Sequence, residues 1–85
     1  MQKILQDADL GANLRKLRIS RKLTQDEVCA KMAILGRPMG RSNYSHIESG
    51  LRNIFVSDLI ALKLVFHCSF DDIFDGIVPL IKNED

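Results

Sequence analysis

Apolar side chains recur along this chain at intervals of three and four residues, the spacing of one face of an α-helix. Leu10, Leu14 and Leu17 form the first such stripe. No stretch convincingly indicates a β-strand. The pattern predicts an all-α fold of five helices in a single domain over residues 1–85, with a core from about 7 to 76 and an apolar tail over 77–85. Besides the first stripe, the residues expected to point inward are Val28, Met32, Leu35, Tyr44, Ile47, Leu59, Leu62, Val65, Phe66, Ile73 and Phe74.

Polar residues next to these stripes predict where the helices start. Thr24 followed by Glu27 is the signature of a capping box, and Ser69 with Asp72 repeats the pattern before the last helix. A capping side chain binds a backbone N–H group that the helix leaves without a partner. Single capping residues are expected at two other starts, namely Asp7 or Asp9 for helix 1 and Ser57 for helix 4.

Glycines and one histidine predict where the helices end. Gly36 and Gly40 break the chain between helices 2 and 3. Gly50 stands where helix 3, over about residues 41–49, needs a left-handed residue. His67 tolerates the same conformation better than most residues and is expected at the end of helix 4.

The composition is that of an ordinary soluble globular protein, with 46% hydrophobic and 27% charged residues. No apolar run approaches the ~20 residues that span a bilayer, and the first residues lack the pattern of a signal peptide. We therefore expect a cytoplasmic protein without membrane contact. Cys29 and Cys68 stand apart, without the clustered ligands of a zinc site. We expect both to be small core residues, and we expect no metal, cofactor or small-molecule ligand.

Charge is divided unevenly along the chain, although the net charge is only +1. Residues 1–52 carry ten Lys/Arg and five Asp/Glu, whereas residues 53–85 carry two and six. A basic half joined to an acidic half suits a protein that meets phosphate groups on one side. Chance clustering is the alternative explanation.

The segment from Thr24 to Gly50 outlines two short helices joined by a turn. It contains T-Q-D-E-V-C-A-K-M, a glycine-bounded turn and R-S-N-Y-S-H-I-E-S-G, an arrangement by which proteins present a short helix to the DNA major groove. Together with L-R-K-L-R before it and C-S-F-D-D-I-F after it, the segment resembles the lambda repressor/Cro-type, or XRE, family of helix-turn-helix proteins. The resemblance covers about residues 10–74. It implies a compact lambda-repressor-like DNA-binding domain with the helix-turn-helix motif at helices 2 and 3.

The resemblance also implies which residues of helix 3 read bases. An arginine at the start of a helix can pair with guanine through two hydrogen bonds, and Ser or His side chains can read several bases. The alternative for Arg41 is a phosphate contact only, because most protein–DNA hydrogen bonds go to the backbone. The alternative for His46 is a solvated surface position. The implied base-reading residues are Arg41, Ser42, Ser45 and His46.

Other polar residues around the motif are implied to contact DNA phosphates. In the family, a glutamine at the position of Gln25 contacts a phosphate and steadies the recognition helix. Backbone N–H groups at that helix start would bind the same phosphate, and the alternative for Gln25 is a solvated side chain. The implied phosphate contacts are Gln25, Lys22, Asn43, Arg52 and Asn53.

One pair of residues is implied to be structural. Arg18 lies one step beyond the leucine stripe of helix 1, and Glu48 lies next to Ile47 at the inner end of helix 3. By resemblance, Arg18 and Glu48 form a buried ion pair that ties helix 1 to the recognition helix.

The chain departs from the family pattern in the turn between helices 2 and 3. The letters A-I-L-G-R-P-M-G make this region longer than the family's usual turn. We therefore expect a longer helix 2 and a loop over residues 36–38, with Met39 plugging the core. Arg37 on this loop is either a phosphate contact or a solvated residue.

A second departure lies on helix 4, where two apolar residues four positions apart face away from the core stripe. An exposed apolar pair indicates a contact surface. Because one recognition helix reads only a half-site, a homodimer is expected. Alternatively, the apolar tail covers the pair within one monomer. The candidate dimer surface comprises Ile60, Leu64, Ile77, Val78, Leu80 and Ile81.

These features favour a sequence-specific binder of double-stranded DNA that regulates transcription as a homodimeric repressor. Antitoxins and restriction–modification controllers use the same small fold and are alternatives. A protein–protein interaction module without DNA binding is the alternative from another class. An enzyme is not expected, because the sequence contains no paired nucleophile and base, no glycine-rich phosphate loop and no metal constellation.

Overall fold

Five α-helices account for most of the chain in the computed structural model, which describes residues 3–4 and 9–77. The helices are α1 Leu10–Ser20, α2 Gln25–Ile34, α3 Arg41–Glu48, α4 Val56–Phe66 and α5 Phe70–Ile73. The predicted all-α fold of five helices is thereby confirmed. Within the described ranges, no helix is long and apolar enough to cross a membrane.

Two very short strands were not expected from the apolar pattern. Strand β1, Lys3–Ile4, pairs antiparallel with β2, Ile54–Phe55. Strands of two residues are too short to show alternation, and their pairing joins segments far apart in the sequence. Ile54 is fully buried, so β2 anchors the segment between α3 and α4.

Two capping boxes start α2 and α5, and both predictions are confirmed. The Thr24 hydroxyl accepts the backbone N–H of Glu27 at 3.1 Å, and the Glu27 carboxylate accepts the backbone N–H of Thr24 at 2.9 Å. Ser69 and Asp72 form the same two bonds at 3.0 Å. The backbone hydrogen bonds to these two carboxylates lower the pKa of Glu27 and that of Asp72.

Of the two single caps, the one predicted at Ser57 is wrong, whereas α1 begins at the predicted place without a side-chain cap. Asp9 occupies the N-cap position of α1, but its side chain makes no capping hydrogen bond, and Asp7 lies outside the described residues. Helix α4 begins directly after β2, with Phe55 as its N-cap and Ser57 inside its first turn. Because strand pairing already orders the backbone before α4, this helix begins without a side-chain cap.

Four of the helices end in the same hydrogen-bonded turn, the Schellman motif, which needs a left-handed residue. After α3, Gly50 has φ 79°, and the next N–H donates to the carbonyl of His46 at 2.9 Å. Gly36 takes the same place after α2. After α4 the left-handed residue is His67 (φ 49°), and after α1 it is Lys22 (φ 58°). The predictions for Gly50 and His67 are confirmed, whereas the conformation of Lys22 was not predicted.

All five helices contribute to the apolar core. Leu35 is wrongly predicted as a core residue, because it lies past the last residue of α2 and is 47% exposed. Cys29 and Cys68 are free thiols, half-buried against the core. The largest fully buried side chains are Tyr44, Phe66, Leu14, Met32, Ile47, Ile54, Leu62, Ile73 and Val28.

Candidate nucleic-acid interface

Helix α3 is held by one buried set of side chains and leaves its other side chains accessible. Tyr44, Ile47 and Glu48 are buried. A short helix anchored in this way offers the remaining polar side chains outward, as a helix in a major groove must. The predicted base-reading residues belong to the accessible set: Arg41, Ser42 and His46 are exposed and Ser45 is half-buried.

Arg41 is the first residue of α3 and is only loosely tied to the protein. Its side chain is 60% exposed, and its Nε lies 3.8 Å from Oδ1 of Asp26, a side chain that is 79% exposed. An ion pair this long and this exposed contributes little to stability. The Arg41 side chain can therefore leave Asp26 with little loss of stability.

Glu48 lies at the centre of a buried polar cluster that joins α1, α2 and α3. Arg18 donates to its carboxylate twice, from Nε to Oε2 at 2.7 Å and from Nη2 to Oε1 at 3.1 Å. Nε2 of Gln25 donates to Oε1 at 3.1 Å. Only 3% of the Glu48 side chain and 13% of the Arg18 side chain are exposed. We call Arg18, Gln25, Tyr44 and Glu48 the Glu48 cluster.

The electrostatics of the Glu48 cluster keep its carboxylate ionised. Burial raises the pKa of Glu48, but the donor groups of Arg18, Tyr44 and Gln25 together outweigh burial, so the pKa is lowered. The Tyr44 hydroxyl is buried and makes no hydrogen bond of ordinary geometry with the described residues, yet it lies close enough to interact with Glu48. The pKa of Tyr44 is raised, mainly because the hydroxyl is buried and secondarily because it interacts with Glu48.

The Glu48 cluster accounts for three residues singled out from the sequence. Arg18 and Glu48 lie together as the resemblance implies, and their pair joins α1 to the end of α3. Gln25, expected to contact a phosphate, donates its amide Nε2–H to Glu48. A phosphate contact by the Gln25 side chain would have to compete with this carboxylate.

Gly11 allows α1 to lie directly against the end of α3. A Cβ atom on Gly11 would lie 2.6 Å from the Glu48 carbonyl oxygen and closer still to that of Ile47. The resemblance implied that α1 meets α3, but it did not indicate that the two helices approach most closely at Gly11. The available signal was a glycine inside a helical stripe, where alanine would favour the helix by about 0.5–1 kcal/mol unless a close approach requires glycine.

The turn between α2 and α3 is tied to α4 by an ion pair. Nε of Arg37 donates to Oδ1 of Asp58 at 2.9 Å, and Nη2 lies 2.8 Å from the same oxygen. Asp58 belongs to the first turn of α4, and its side chain is 6% exposed. Neither interpretation of Arg37 anticipated this contact. Asp58 was missed because its partner lies in another element, and the only local signal was an acidic residue in a first helical turn.

Three of the predicted phosphate-contacting residues line one cavity of about 200 Å³ beside the start of α3. They are Asn43, Arg52 and Asn53, and the Arg37–Asp58 pair forms another part of the same wall. Lys22 and Gln25 do not line this cavity. The structure therefore brings together three of the five predicted phosphate contacts.

The exposed apolar pair on α4 is continuous with the end of α2. Ile60 and Leu64 are 46% and 50% exposed, and they share grooves with Ile34 and Leu35. We call these four residues the α2–α4 apolar surface. Ile77 is half-buried against the core and lines a groove with the start of α1 instead. The remaining members of the predicted dimer surface, Val78, Leu80 and Ile81, lie outside the described residues.

Comparison with known proteins agrees with this geometry. A family model described as helix-turn-helix (HTH_3) matches residues 14–73, most of the chain. No curated protein matches the sequence. The crystal structure of a mutant of the restriction-modification controller protein C.Esp1396I is similar over all of both chains, with a TM-score of 0.70 and 21% sequence identity, and so shares the fold. The chain therefore belongs to the XRE-type helix-turn-helix family of DNA-binding transcription regulators.

Proposed function

We propose that this protein binds a specific double-stranded DNA sequence through α3 and represses transcription as a homodimer. The observation that carries the proposal is the accessible polar side of α3, held from behind by Tyr44, Ile47 and the Glu48 cluster. A helix fixed in this way keeps one orientation when it enters the groove, so its base contacts are selective. The cytoplasmic location expected from the sequence belongs to the same proposal.

Affinity in this proposal comes mainly from basic side chains that meet phosphates. Arg52, Asn43 and Asn53 line the cavity beside α3, and we propose that these side chains meet DNA phosphates. Lys22 is an exposed basic residue at the end of α1 and adds charge to the same half of the chain. Contacts of this kind make binding fall steeply with salt concentration.

The primary test is selection of bound sequences from a random duplex library, followed by affinity measurements at several salt concentrations. We expect one enriched half-site and a linear fall of log affinity with log salt. If no sequence is enriched and random duplex is not bound at low salt, the proposal fails. The protein–protein interaction module would then be the better interpretation.

Arg41→Ala should weaken binding to the selected sequence by about 1–3 kcal/mol and relax the base preference at one position, because the arginine is proposed to pair with a base. Fluorescence anisotropy with the selected and a random duplex measures both effects. Arg52→Ala is the matched control, since loss of a phosphate contact should weaken both duplexes similarly. Equal losses for Arg41→Ala would show that Arg41 also contacts only phosphate.

The homodimer is proposed to form through the α2–α4 apolar surface. Four large apolar side chains are partly or largely exposed there in adjoining grooves. Burying apolar area contributes roughly 25 cal/mol per Å², and pairing with a second copy hides the same surface on both partners. A two-fold dimer also presents two α3 helices to two half-sites.

Leu64→Ser should weaken dimerisation at least tenfold, as expected when a buried leucine contact of about 1.5–3 kcal/mol is lost. Sedimentation velocity over a micromolar concentration series measures the dissociation constant. Ile19→Ser is the matched control, because Ile19 is 49% exposed on α1 and outside this surface. A wild-type protein that stays monomeric, alone and on the selected DNA, would refute the dimer.

The repressor role rests on the argument that a small DNA-binding protein acts by occupying its site, which blocks transcription when the site overlaps a promoter. The second candidate is a restriction–modification controller, favoured by the likeness to C.Esp1396I. A reporter with the selected sequence at its promoter distinguishes repression from activation. A restriction gene beside the coding sequence would support the controller.

A further inference from the structure

We infer that Arg37 and Asp58 are positioning residues for DNA recognition: their ion pair holds the lengthened turn so that the start of α3 and the cavity beside it keep one arrangement. The inference rests on the proposed function. Arg37 and Asp58 would support recognition by positioning α3 and would not contact bases themselves.

The connection between α2 and α3 is longer than a tight turn and therefore needs contacts that fix it. Residues 35–40 separate α2 from α3, and a longer connection leaves the angle between two helices less constrained than a tight one. Gly36 ends α2 in a left-handed conformation, and the backbone N–H of Arg37 donates to the Met32 carbonyl at 2.9 Å. The backbone is thus fixed as far as Arg37, and the residues after it need another constraint.

The ion pair to α4 supplies that constraint. Asp58 is buried in the first turn of α4, where the helix dipole favours a negative charge. Helix α4 is itself set in the core by Leu59, Leu62 and Phe66. Because both Nε and Nη2 of Arg37 reach one oxygen of this fixed carboxylate, the turn is attached to a rigid element just before the chain enters α3.

Helix α3 is therefore constrained at its two ends by different elements. The Glu48 cluster ties its last turn to α1, and the Arg37–Asp58 pair ties its approach to α4. Between them, Met39 is half-buried against the core. Breaking the pair should release the start of α3 while leaving its end in place.

The residues that depend on this arrangement are those proposed to meet DNA. Asn43, Arg52 and Asn53 share the cavity wall with Arg37 and Asp58, and Arg41 follows the turn directly. A shift of the turn would misplace Arg41 and change the spacing between these phosphate-contacting groups. Specific binding should suffer more than non-specific binding, since only the former needs one geometry.

The test compares Asp58→Asn, Arg37→Gln and Arg37→Lys with the wild type on two probes: the duplex selected by the wild type and a random duplex of equal length. At a temperature where circular dichroism shows every variant to be folded, the ratio of the two affinities should fall about tenfold for the first two variants, the effect of one misplaced base contact. The ratio for Arg37→Lys should lie between those of the wild type and Arg37→Gln. Lysine retains the positive charge, but it lacks the two N–H groups with which arginine contacts the carboxylate. Ser69→Ala, which removes the cap of α5, should lower thermal stability and leave the ratio unchanged.

Amide hydrogen exchange provides a readout that does not depend on DNA. In Asp58→Asn, exchange of the Tyr44 amide, bonded to the Gly40 carbonyl, should accelerate relative to that of Ile73 in α5, whereas the Arg37 amide, bonded to the Met32 carbonyl at the end of α2, should change less. An unchanged affinity ratio, or uniform acceleration of all three amides, would overturn the inference while the proposed function stands. A wild type that selects no sequence would overturn the proposed function and this inference together.

Discussion

Replacing Glu48 by alanine should lower the free energy of unfolding by about 3–5 kcal/mol, because the change strands the partner charge of a buried ion pair. Only 13% of the Arg18 side chain is exposed, and its remaining hydrogen bond runs from Nη1 to the Leu23 carbonyl at 2.9 Å. Gln25 and Tyr44 lose the same carboxylate. Urea denaturation followed by circular dichroism measures the loss. A loss of less than about 1 kcal/mol would show that the Arg18–Glu48 pair contributes no more stability than a surface ion pair does.

Asp26→Ala is the matched control for Glu48→Ala. Asp26 also faces an arginine, but at 3.8 Å and with 79% of its side chain exposed. Its removal should change stability by no more than about 1 kcal/mol, since an exposed charge in a first helical turn and a long surface ion pair each contribute little.

The stability that Glu48 contributes should also depend on pH in a defined direction. Because its pKa is lower in the folded protein than the ordinary value of 4.5, the contribution is complete above about pH 4.5 and is lost as the pH falls through the folded-state pKa. Other carboxylates with lowered pKa values add to acid unfolding of the wild type. The informative quantity is therefore the difference between the wild type and Glu48→Gln, which should shrink on acidification. A difference that is constant between pH 7 and pH 3 would contradict this assignment.

Gly11→Ala should destabilise the protein by about 2 kcal/mol or more, although alanine is the better helix former. The new methyl group would meet the carbonyl groups of Ile47 and Glu48, which are backbone atoms and cannot rotate away. Overpacking of this kind costs about 1–3 kcal/mol, and relief requires α1 and α3 to move apart. Thermal and urea denaturation measure the effect. We also expect weaker sequence-specific DNA binding, because the displaced helix is the one proposed to read bases.

Gly40→Ala separates this steric effect from the general effect of removing a glycine. A Cβ atom on Gly40 would meet no heavy atom within 4 Å, and the residue has an ordinary φ of −70°. Because Gly40 is the N-cap residue of α3, where alanine is less favourable than glycine, its replacement should cost about 0.5–1 kcal/mol and no more. If both substitutions have the same effect, the close crossing at Gly11 does not limit stability.

Helix boundaries were the most predictable part of the fold because their signals are local. The capping boxes at Thr24 and Ser69 bring together residues three positions apart, and left-handed turns at Gly50 and His67 depend on one residue each. The cap expected from Ser57 failed because a strand pairing with distant residues already determines where α4 begins.

The accessible face of α3 and the Arg18–Glu48 pair were predictable, whereas the other contacts around them were not. The family pattern implied that Arg41 and His46 lie on an accessible helix and that Arg18 meets Glu48. The pattern did not reveal that Gln25 turns toward Glu48 or that Arg37 meets a buried carboxylate. Both are contacts between side chains that could equally have met solvent or DNA.

The sequence by itself determined the five helices, the uneven distribution of charge and the polar side chains that the second helix of the motif would offer. The helices and their polar faces follow from residues within one or two helical turns of each other, where spacing alone sets which side chains share a face. Only the tertiary structure decided that α1 crosses α3 at Gly11 and that Asp58 holds the lengthened turn. Such contacts join residues far apart in the chain, and they exist because packing of the whole core brings together surfaces whose spacing in the sequence carries no signal.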